Sequence, residues 1–313
     1  MVLNRIGLTG STGMLGRHLQ AALEKTGAVV VSVSRTAAAS YVSACWDLAE
    51  WLPLEKLDAL FAGVQAVIHA GAMVQQSGHV DKARMFDANV RACLNLGEWA
   101  ISRDVPVIYI SGAIVYADTL APEQKEDAPL GGSGLGGFYG FSKLLAEDVL
   151  LRLHQQGLKL AVVRPTSIYG FGITADKMVR RFLAIAEAGG VINLTQPVHD
   201  RIDLVHAADV SRAVVAILKS NCWDIFNLSS GSPISIKELA TECISLTGRG
   251  SISISGETPL GYKPQSRYSL NSERATSRLG WLPEIDIQQG MNMLLQGRVL
   301  GPSSFPQKKR AKE

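Results

Sequence analysis

Cysteine is scarce in this chain, and its four copies lie far apart at Cys45, Cys93, Cys222 and Cys243. The sequence has no CxxC pair and no Cys/His cluster, although closely spaced thiolates and imidazoles are what zinc sites and disulfide-rich folds require. We therefore expect neither a disulfide framework nor a metal site, and a protein of a reducing compartment.

Long apolar runs and a strong excess of one charge are also missing. The longest apolar runs, such as AVVV at residues 28–31, are far too short to span a membrane. The start MVLNRIGLTG lacks the pattern of a cleaved leader. Net charge is only +3, part of it in the segment QKKRAKE, and no basic face with interleaved aromatic residues is visible. We expect a soluble cytoplasmic protein that binds neither membranes nor nucleic acid.

Apolar strand-like segments are abundant, and they alternate with helical patterns. Hydrophobic residues make up 47% of the 313 positions, which is enough for a large core. The strand-like segments are RIGLTG, AVVVSVS, QAVIHAGA, VPVIYISG and KLAVVRP. Alternation of this kind predicts an α/β fold with a Rossmann-type doubly wound parallel sheet.

The alternation becomes irregular after about residue 170, which suggests a second lobe. We expect a dinucleotide-binding domain formed by residues 1–170 plus about 201–228. A smaller, interleaved substrate lobe is expected at about 171–200 and 229–300, followed by a disordered tail at 301–313.

The segment TGSTGMLG lies between the first predicted strand and the first predicted helix. Glycines in such a loop let the backbone turn tightly and approach a pyrophosphate, which the N–H groups of the helix N-terminus bind. The position of the pattern predicts a dinucleotide site and disfavours a simple tight turn. The predicted contacts in this segment are Gly10, Thr12, Gly13, Met14, Leu15 and Gly16.

The end of the second predicted strand, SVSRT, bears on which dinucleotide binds. An acidic residue here would hold the adenine-ribose diol of NAD, but the chain has Ser34 and Arg35 instead. A hydroxyl and a guanidinium suit the 2′-phosphate of NADP. We therefore predict NADP as the preferred cofactor and NAD as the alternative; a merely solvent-facing arginine is the structural alternative.

The segment FYGFSK carries Tyr139 and Lys143 four residues apart, on one face of a predicted helix. Taken alone, the pair fits an ordinary helix surface or a proton donor and the charge that tunes it. The chain also contains, in order, TGSTGMLG, WDL, HAGA, NV at Asn89, YGFSK, VVRPTSIYG, DLVHAADV, FNLSSGSPISIKELA and ERATSRLGW. With these segments it resembles, over roughly residues 4–298, the extended short-chain dehydrogenase/reductase family. This is the NAD(P)-dependent epimerase/dehydratase group, which works largely on nucleotide sugars.

The resemblance implies roles for individual residues. Tyr139 would be the general acid/base, and Lys143 would bind the nicotinamide ribose. A free tyrosine has a pKa of about 10, which an adjacent ammonium and a cationic nicotinamide would lower. The resemblance also implies a homodimer formed through the helices near 84–102 and 139–156. Further cofactor contacts are expected at Asp47, Leu48, Ala70, Gly71, Ala72, Pro165 and Ile168, besides Tyr139 and Lys143.

The segment YISGAIVY departs from the family pattern. The family has Ser or Thr four residues before the second tyrosine, where its hydroxyl binds the reacting oxygen; here Gly112 stands at that position and Ser111 lies one residue too early. Neighbouring strand residues point to opposite faces. A twist could bring the Ser111 hydroxyl round, water or another side chain could replace it, or activity could be reduced. Ser111 is retained as a candidate catalytic residue and Gly112 as a substrate contact.

The two positions after Gly112 bear on the reaction type. Dehydratases of this family carry an acid pair there for eliminating water, whereas this chain has Ala113 and Ile114. Neither side chain transfers a proton, so we predict that the protein is not a dehydratase.

A second departure lies in HDRIDLVH. The family often has arginine directly before the aspartate, where it contacts a nucleotide diphosphate, but here Ile202 takes that place and Arg201 lies one residue earlier. Arg201 is a candidate substrate contact, since a guanidinium on a flexible stem reaches far. A loop arginine paired with Asp200 or Asp203 is the structural alternative.

The segment GGSGLGGF at residues 131–138 precedes Tyr139. Its glycines favour a mobile lid or substrate entrance, with a plain spacer as the alternative.

The function predicted from these features is NADP-preferring reduction, or epimerisation, of a keto group on a nucleotide-linked sugar. Reduction of a non-sugar ketone within the same family is the alternative. A cofactor-binding redox sensor or scaffold with little catalysis is a further alternative, which the absent hydroxyl at Gly112 favours and the intact Tyr139 and Lys143 disfavour.

Overall fold

A seven-stranded parallel sheet forms the centre of the protein. The computed structural model describes residues 4–35, 43–74, 81–131, 136–297 and 299. The sheet strands are β1 (Arg5–Thr9), β2 (Val29–Ser34), β3 (Ser43–Cys45), β4 (Ala66–His69), β5 (Val107–Ile110), β6 (Leu160–Pro165) and, counted along the chain, β11 (Ile225–Leu228). Their order is β11-β6-β5-β4-β1-β2-β3, and every pairing is parallel. The predicted doubly wound Rossmann-type sheet is confirmed.

Helices cover both faces of the sheet, as parallel strands that are apolar throughout require. The helices are α1 (Met14–Glu24), α2 (Leu54–Leu60), α3 (Lys82–Phe86), α4 (Ala92–Ser102), α5 (Gly137–Gln155), α6 (Met178–Glu187), α7 (Ala207–Ser220), α8 (Ile236–Thr247), α9 (Glu273–Leu279) and α10 (Ile287–Leu295). On β4, Ala66 and Ile68 pack into the core that contains α1 and α7, while Val67 packs into the core of α4 and α5. Side chains therefore alternate between two cores, one on each face.

The carboxyl ends of β1, β2 and β4 meet at one edge of the sheet. Thr9 at the end of β1 is in register with Val33 on one side and with His69 on the other. The strand order reverses direction at β1, and ligands of open α/β sheets bind in the crevice at such a point.

A smaller cluster of elements lies beyond the sheet. Its strands are β7 (Ser167–Tyr169), β8 (Val191–Thr195), β9 (Arg201–Ile202), β10 (Leu204–His206), β12 (Ile234–Ser235), β13 (Ser251–Ser255) and β14 (Ser266–Arg267). They form three small sheets, β10-β7, β12-β9-β14 and β13-β8, and α6, α8 and α10 contribute to a third core. The predicted domain boundaries stay a prediction, and the predicted tail at 301–313 lies outside the described residues.

The helical pattern of residues 85–102 is interrupted by a π-helical turn at Asp87–Arg91, between α3 and α4.

None of the helices in the described part of the chain is both long enough and apolar enough to cross a membrane.

Candidate active site

The loop between β1 and α1 requires glycine. Gly10 has a φ of +69°, and a Cβ added there would lie 2.6 Å from the Gly71 Cα. A Cβ on Gly16 would lie only 2.1 Å from the Gly10 carbonyl oxygen. The loop therefore packs without side chains against both α1 and the segment after β4. α1 begins after Gly13 without a side-chain cap from the described residues, so its first N–H groups suit an anion.

A cleft of about 430 Å³ opens beside this loop. It brings together many of the predicted cofactor contacts: Gly10, Thr12, Gly13, Ser34, Arg35, Asp47, Leu48, Ala70, Gly71 and Ala72. It is also lined by residues that the sequence reasoning missed: Thr9, Val33, Trp46, Met73, Val74, Arg84 and Ala88. The glycine cradle and the helix N-terminus fit a dinucleotide with its pyrophosphate on α1.

The other predicted cofactor contacts lie outside the lining of this cleft. Met14 and Leu15 form the first turn of α1, and Leu15 packs against the core between α1 and α7. Pro165 ends β6, and Ile168 lies in β7 with its side chain packed against the same core. Their contact with a cofactor stays a prediction.

Helix α5 carries Tyr139 and Lys143 to the end of β5. The buried Lys143 ammonium donates to the Ile110 carbonyl at 2.6 Å and lies 4.1 Å from the centroid of the Tyr109 ring. Burial lowers the pKa of Lys143 to about 8. Tyr139 is partly buried, and this burial raises the pKa of its phenol. The predicted lowering of the Tyr139 pKa depends partly on the positive charge of a bound nicotinamide. It therefore stays a prediction for the complex with the cofactor.

Asn89 in the π-helical turn ties α5 to the segment after β4. Its amide nitrogen donates to Ser142 Oγ at 2.8 Å and to the Met73 carbonyl at 2.9 Å, while its amide oxygen accepts from the Met73 N–H at 2.7 Å. Ser142 in turn donates to the Tyr139 carbonyl at 2.8 Å. The cleft, which Met73 lines, and the helix that carries Tyr139 are thus held together by one chain of hydrogen bonds.

Ser111 is directed into a buried network. Its hydroxyl donates at 2.5 Å to Glu147, one turn beyond Lys143 on α5. Glu147 also forms a buried ion pair with Arg164 on β6, and Arg164 donates to the Tyr116 hydroxyl at 2.9 Å. The Ser111 hydroxyl therefore donates its hydrogen bond to the Glu147 carboxylate. The catalytic role predicted for Ser111 stays a prediction. The sequence reasoning missed Glu147, although it follows Lys143 at the same four-residue spacing.

Gly112 stands where the family has a hydroxyl, and a Cβ fits there without a clash. Its φ of 175° is extended backbone that any residue adopts. A Cβ built there would have its nearest neighbours, Ile114 Cγ2 and the Pro165 carbonyl oxygen, at 3.9 Å. A Cβ at this position therefore needs neither backbone strain nor displacement of a neighbour.

Ile114 packs against the start of α5. A Cβ added to Gly136 would lie 2.1 Å from Ile114 Cδ1, and one added to Gly140 would lie 3.1 Å from its Cγ1. These glycines flank Tyr139 and make room for the branched side chain. Half of the predicted lid at residues 131–138, namely residues 132–135, lies outside the described residues.

The Arg201 side chain forms an ion pair and hydrogen bonds at the surface of the smaller lobe. Its guanidinium pairs with Glu238 at 3.0 Å and donates to the Pro233 carbonyl at 2.7 Å. Its acidic partner is therefore Glu238 rather than Asp200 or Asp203. The predicted substrate contact of Arg201 stays a prediction.

Comparison with known proteins gives consistent matches. A model of the NAD dependent epimerase/dehydratase family matches residues 6–229. A dTDP-4-dehydro-6-deoxy-D-allose reductase of a Streptomyces species is 26% identical, over 77% of this chain and 81% of the relative.

Two other matches cover more of the chain. A 4-hydroxy-2-methyl-3-oxo-4-farnesyl-3,4-dihydroquinoline-1-oxide ketoreductase of Stigmatella aurantiaca is 24% identical, over 96% of this chain and 99% of the relative. Among solved structures, MoeE5 in complex with UDP-glucuronic acid and NAD has a TM-score of 0.80 and 23% identity, covering 94% of this chain and 98% of that one. At this identity the likeness concerns the fold.

Proposed function

Because the chain belongs to the NAD dependent epimerase/dehydratase family, we propose that it reduces the keto group of a nucleotide-linked sugar with NADPH. The nicotinamide, when bound, supplies the hydride. The N-terminus of α1 binds the pyrophosphate, and Lys143 binds the ribose. Tyr139 donates a proton to the substrate oxygen, so that a ketone, a hydride and a proton give an alcohol.

The observation that carries the proposal is the placement of Tyr139 and Lys143 on one face of α5, where Lys143 is anchored to the end of β5. The network through Asn89 and Ser142 connects this face to the dinucleotide cleft. A proton donor and a dinucleotide site are what carbonyl reduction needs. The Streptomyces relative, named as a reductase of a dTDP-4-dehydro-6-deoxy sugar, supports a 4-keto sugar as the first substrate to test.

Three other activities rank lower for stated reasons. A sugar epimerase keeps its cofactor through the cycle and mostly uses NAD, which Arg35 disfavours. A dehydratase lacks its acid pair, since Ala113 and Ile114 occupy those positions. Reduction of a non-sugar ketone is the second candidate, and the Stigmatella relative, a ketoreductase of a quinoline oxide by name, favours it.

Consumption of NADPH, followed by absorbance, tests the proposal with dTDP- and UDP-linked 4-keto sugars beside non-sugar ketones. We expect turnover with a nucleotide-linked keto sugar and a product reduced at the carbonyl carbon. Turnover with non-sugar ketones alone would favour the second candidate. Tight NADPH binding without turnover of any ketone would contradict an enzymatic role and favour the redox sensor.

The exchange Arg35→Asp tests the cofactor preference. Removing the guanidinium and adding a carboxylate beside the 2′-phosphate should weaken NADPH binding by about 100-fold or more relative to NADH, because a charged hydrogen bond is lost and a repulsion is added. Fluorescence titration with both cofactors measures this ratio. The NADP assignment is wrong if the ratio does not fall.

A homodimer formed through α4 and α5, in a reducing cytoplasmic compartment, belongs to the same proposal. Phe86 on α3 and Phe141 on α5 are exposed apolar side chains on neighbouring helices, which supports an interface there. Sedimentation at micromolar concentration tests it, and a monomer would contradict it.

A further inference from the structure

A second arginine lines the cofactor cleft besides Arg35. Arg84 lies in α3, whose N-terminus is capped by Asp81 through the Arg84 N–H at 3.0 Å. The Arg84 guanidinium forms an ion pair with Asp47, and both residues line the cleft. No sequence motif marked Arg84, because its partner lies 37 residues away.

The backbone places this ion pair beside Arg35. Strands β2 and β3 are paired in register to Ser34 and Cys45, and the Trp46 N–H then donates to the Ser34 carbonyl at 3.0 Å. Arg35 directly follows Ser34 at the end of β2, and Asp47 directly follows Trp46 after β3, so the two residues lie on adjoining segments. The Arg84 guanidinium, bonded to Asp47, therefore lies at the end of β2, where an adenine ribose binds in a doubly wound sheet.

The charge of the two arginines suits an anionic ligand. An exposed ion pair contributes little to the stability of the fold, so the Arg84–Asp47 pair at the cleft is poorly explained by stability alone. A phosphate monoester carries up to two negative charges, and one arginine neutralises only one of them. Arg84 has five N–H donors and uses only one nitrogen toward Asp47. It can therefore donate to a phosphate while it stays near Asp47.

We propose that Arg84 acts with Arg35 to bind the 2′-phosphate of NADP, and that Asp47 holds Arg84 at the end of β2 in the free protein. The inference rests on the NADP preference proposed above and assigns a second residue to it. Asp47 then has two effects, since it positions the guanidinium but also repels the incoming phosphate.

Titrations with NADPH and NADH test Arg84 without any turnover. Arg84→Ala should weaken NADPH binding by about tenfold and NADH binding by less than about twofold, the low end for charged hydrogen bonds because the site is open to water. Arg91→Ala is the matched control. Arg91 is equally exposed, at 47%, and is paired with Asp87 at 2.8 Å, but it does not line the cleft. It should leave both affinities unchanged.

Asp47→Asn tests the positioning role of Asp47. It keeps the Oδ1 atom that accepts from the Ala49 N–H at 3.0 Å, but an NH2 group, which cannot accept, replaces the Oδ2 atom that accepts from Arg84. The NADPH/NADH affinity ratio should fall, but by less than in Arg84→Ala, because the guanidinium is present but no longer held, and the lost like-charge repulsion offsets part of the effect. The ratio cancels any contact of Asp47 with the adenine, which both cofactors share.

Two fragments and salt separate the possible outcomes. Adenosine 2′,5′-bisphosphate should bind Arg84→Ala more weakly than wild type, adenosine 5′-monophosphate should not, and the difference should shrink as salt rises. Equal losses for both fragments would mean that Arg84 contacts the adenine, and no loss would mean that it contacts neither; both results overturn the inference. A wild-type protein that binds NADPH and NADH equally would overturn the proposed NADP preference itself.

Discussion

Replacing Tyr139 with phenylalanine should lower kcat by about 10²–10⁴-fold, the range that a positioned acid/base contributes. The ring that packs at the start of α5 stays, but the proton donor to the substrate oxygen is lost. Cofactor binding should weaken by less than about tenfold, since Tyr139 adds at most one hydrogen bond to the ribose. Stopped-flow reduction under single turnover separates this chemical step from binding.

Tyr109→Phe is the matched control for this exchange. Tyr109 lies close to the Lys143 ammonium, at 4.1 Å from ring centroid to nitrogen. Its hydroxyl is buried and has no hydrogen-bond partner among the described residues, and burial raises its pKa well above the ordinary value. Removing it should leave kcat within about threefold, because no bond is broken. An equal loss in both variants would contradict the assignment of Tyr139 as the proton donor.

Gly112→Ser should raise kcat/KM by about tenfold or more. A hydroxyl restored at this position can donate to the reacting oxygen, and one such donor contributes about 10²–10³-fold where it is well aligned. The extended backbone at Gly112 and the 3.9 Å clearance of its Cβ allow the exchange without strain. Gly112→Ala is the control, because it adds the same Cβ without the hydroxyl and should not raise the rate.

Ser111→Ala completes this comparison. Ser111→Ala should lower the free energy of unfolding, because the buried Glu147 carboxylate loses the hydrogen bond that Ser111 donates to it. The rate measured at saturating substrate should stay close to that of the wild type. A rate loss in Ser111→Ala combined with no gain in Gly112→Ser would show that Ser111 already supplies the missing hydrogen bond. That outcome would contradict the account of Gly112.

The sheet and the glycine cradle could be predicted because their signals are local. Gly16 is required by its contact with Gly10 within one βα unit, and Gly10 itself turns the chain with a φ of +69°. The four-residue spacing of Tyr139 and Lys143 places them on one helix face. The apolar runs of β4, β5 and β6 are buried along their whole length, which is why their pattern indicates interior parallel strands.

The side-chain partners could not be predicted because they are distant in sequence. Ser111 meets Glu147 across 36 residues, and Arg201 meets Glu238 across 37. No periodicity encodes such pairs, since they depend on how α5 and α8 pack. The interruption of the helix at Asp87–Arg91 was also missed, because a π-helical turn changes the hydrogen bonds without changing the apolar spacing.

A crystal structure of the protein with NADP bound tests the central claim most directly. We expect the pyrophosphate at the N-terminus of α1, the 2′-phosphate beside Arg35, and the Tyr139 hydroxyl facing the C4 atom of a nicotinamide whose ribose Lys143 binds. A dinucleotide bound elsewhere, or a Tyr139 hydroxyl turned away from that carbon, would contradict the account.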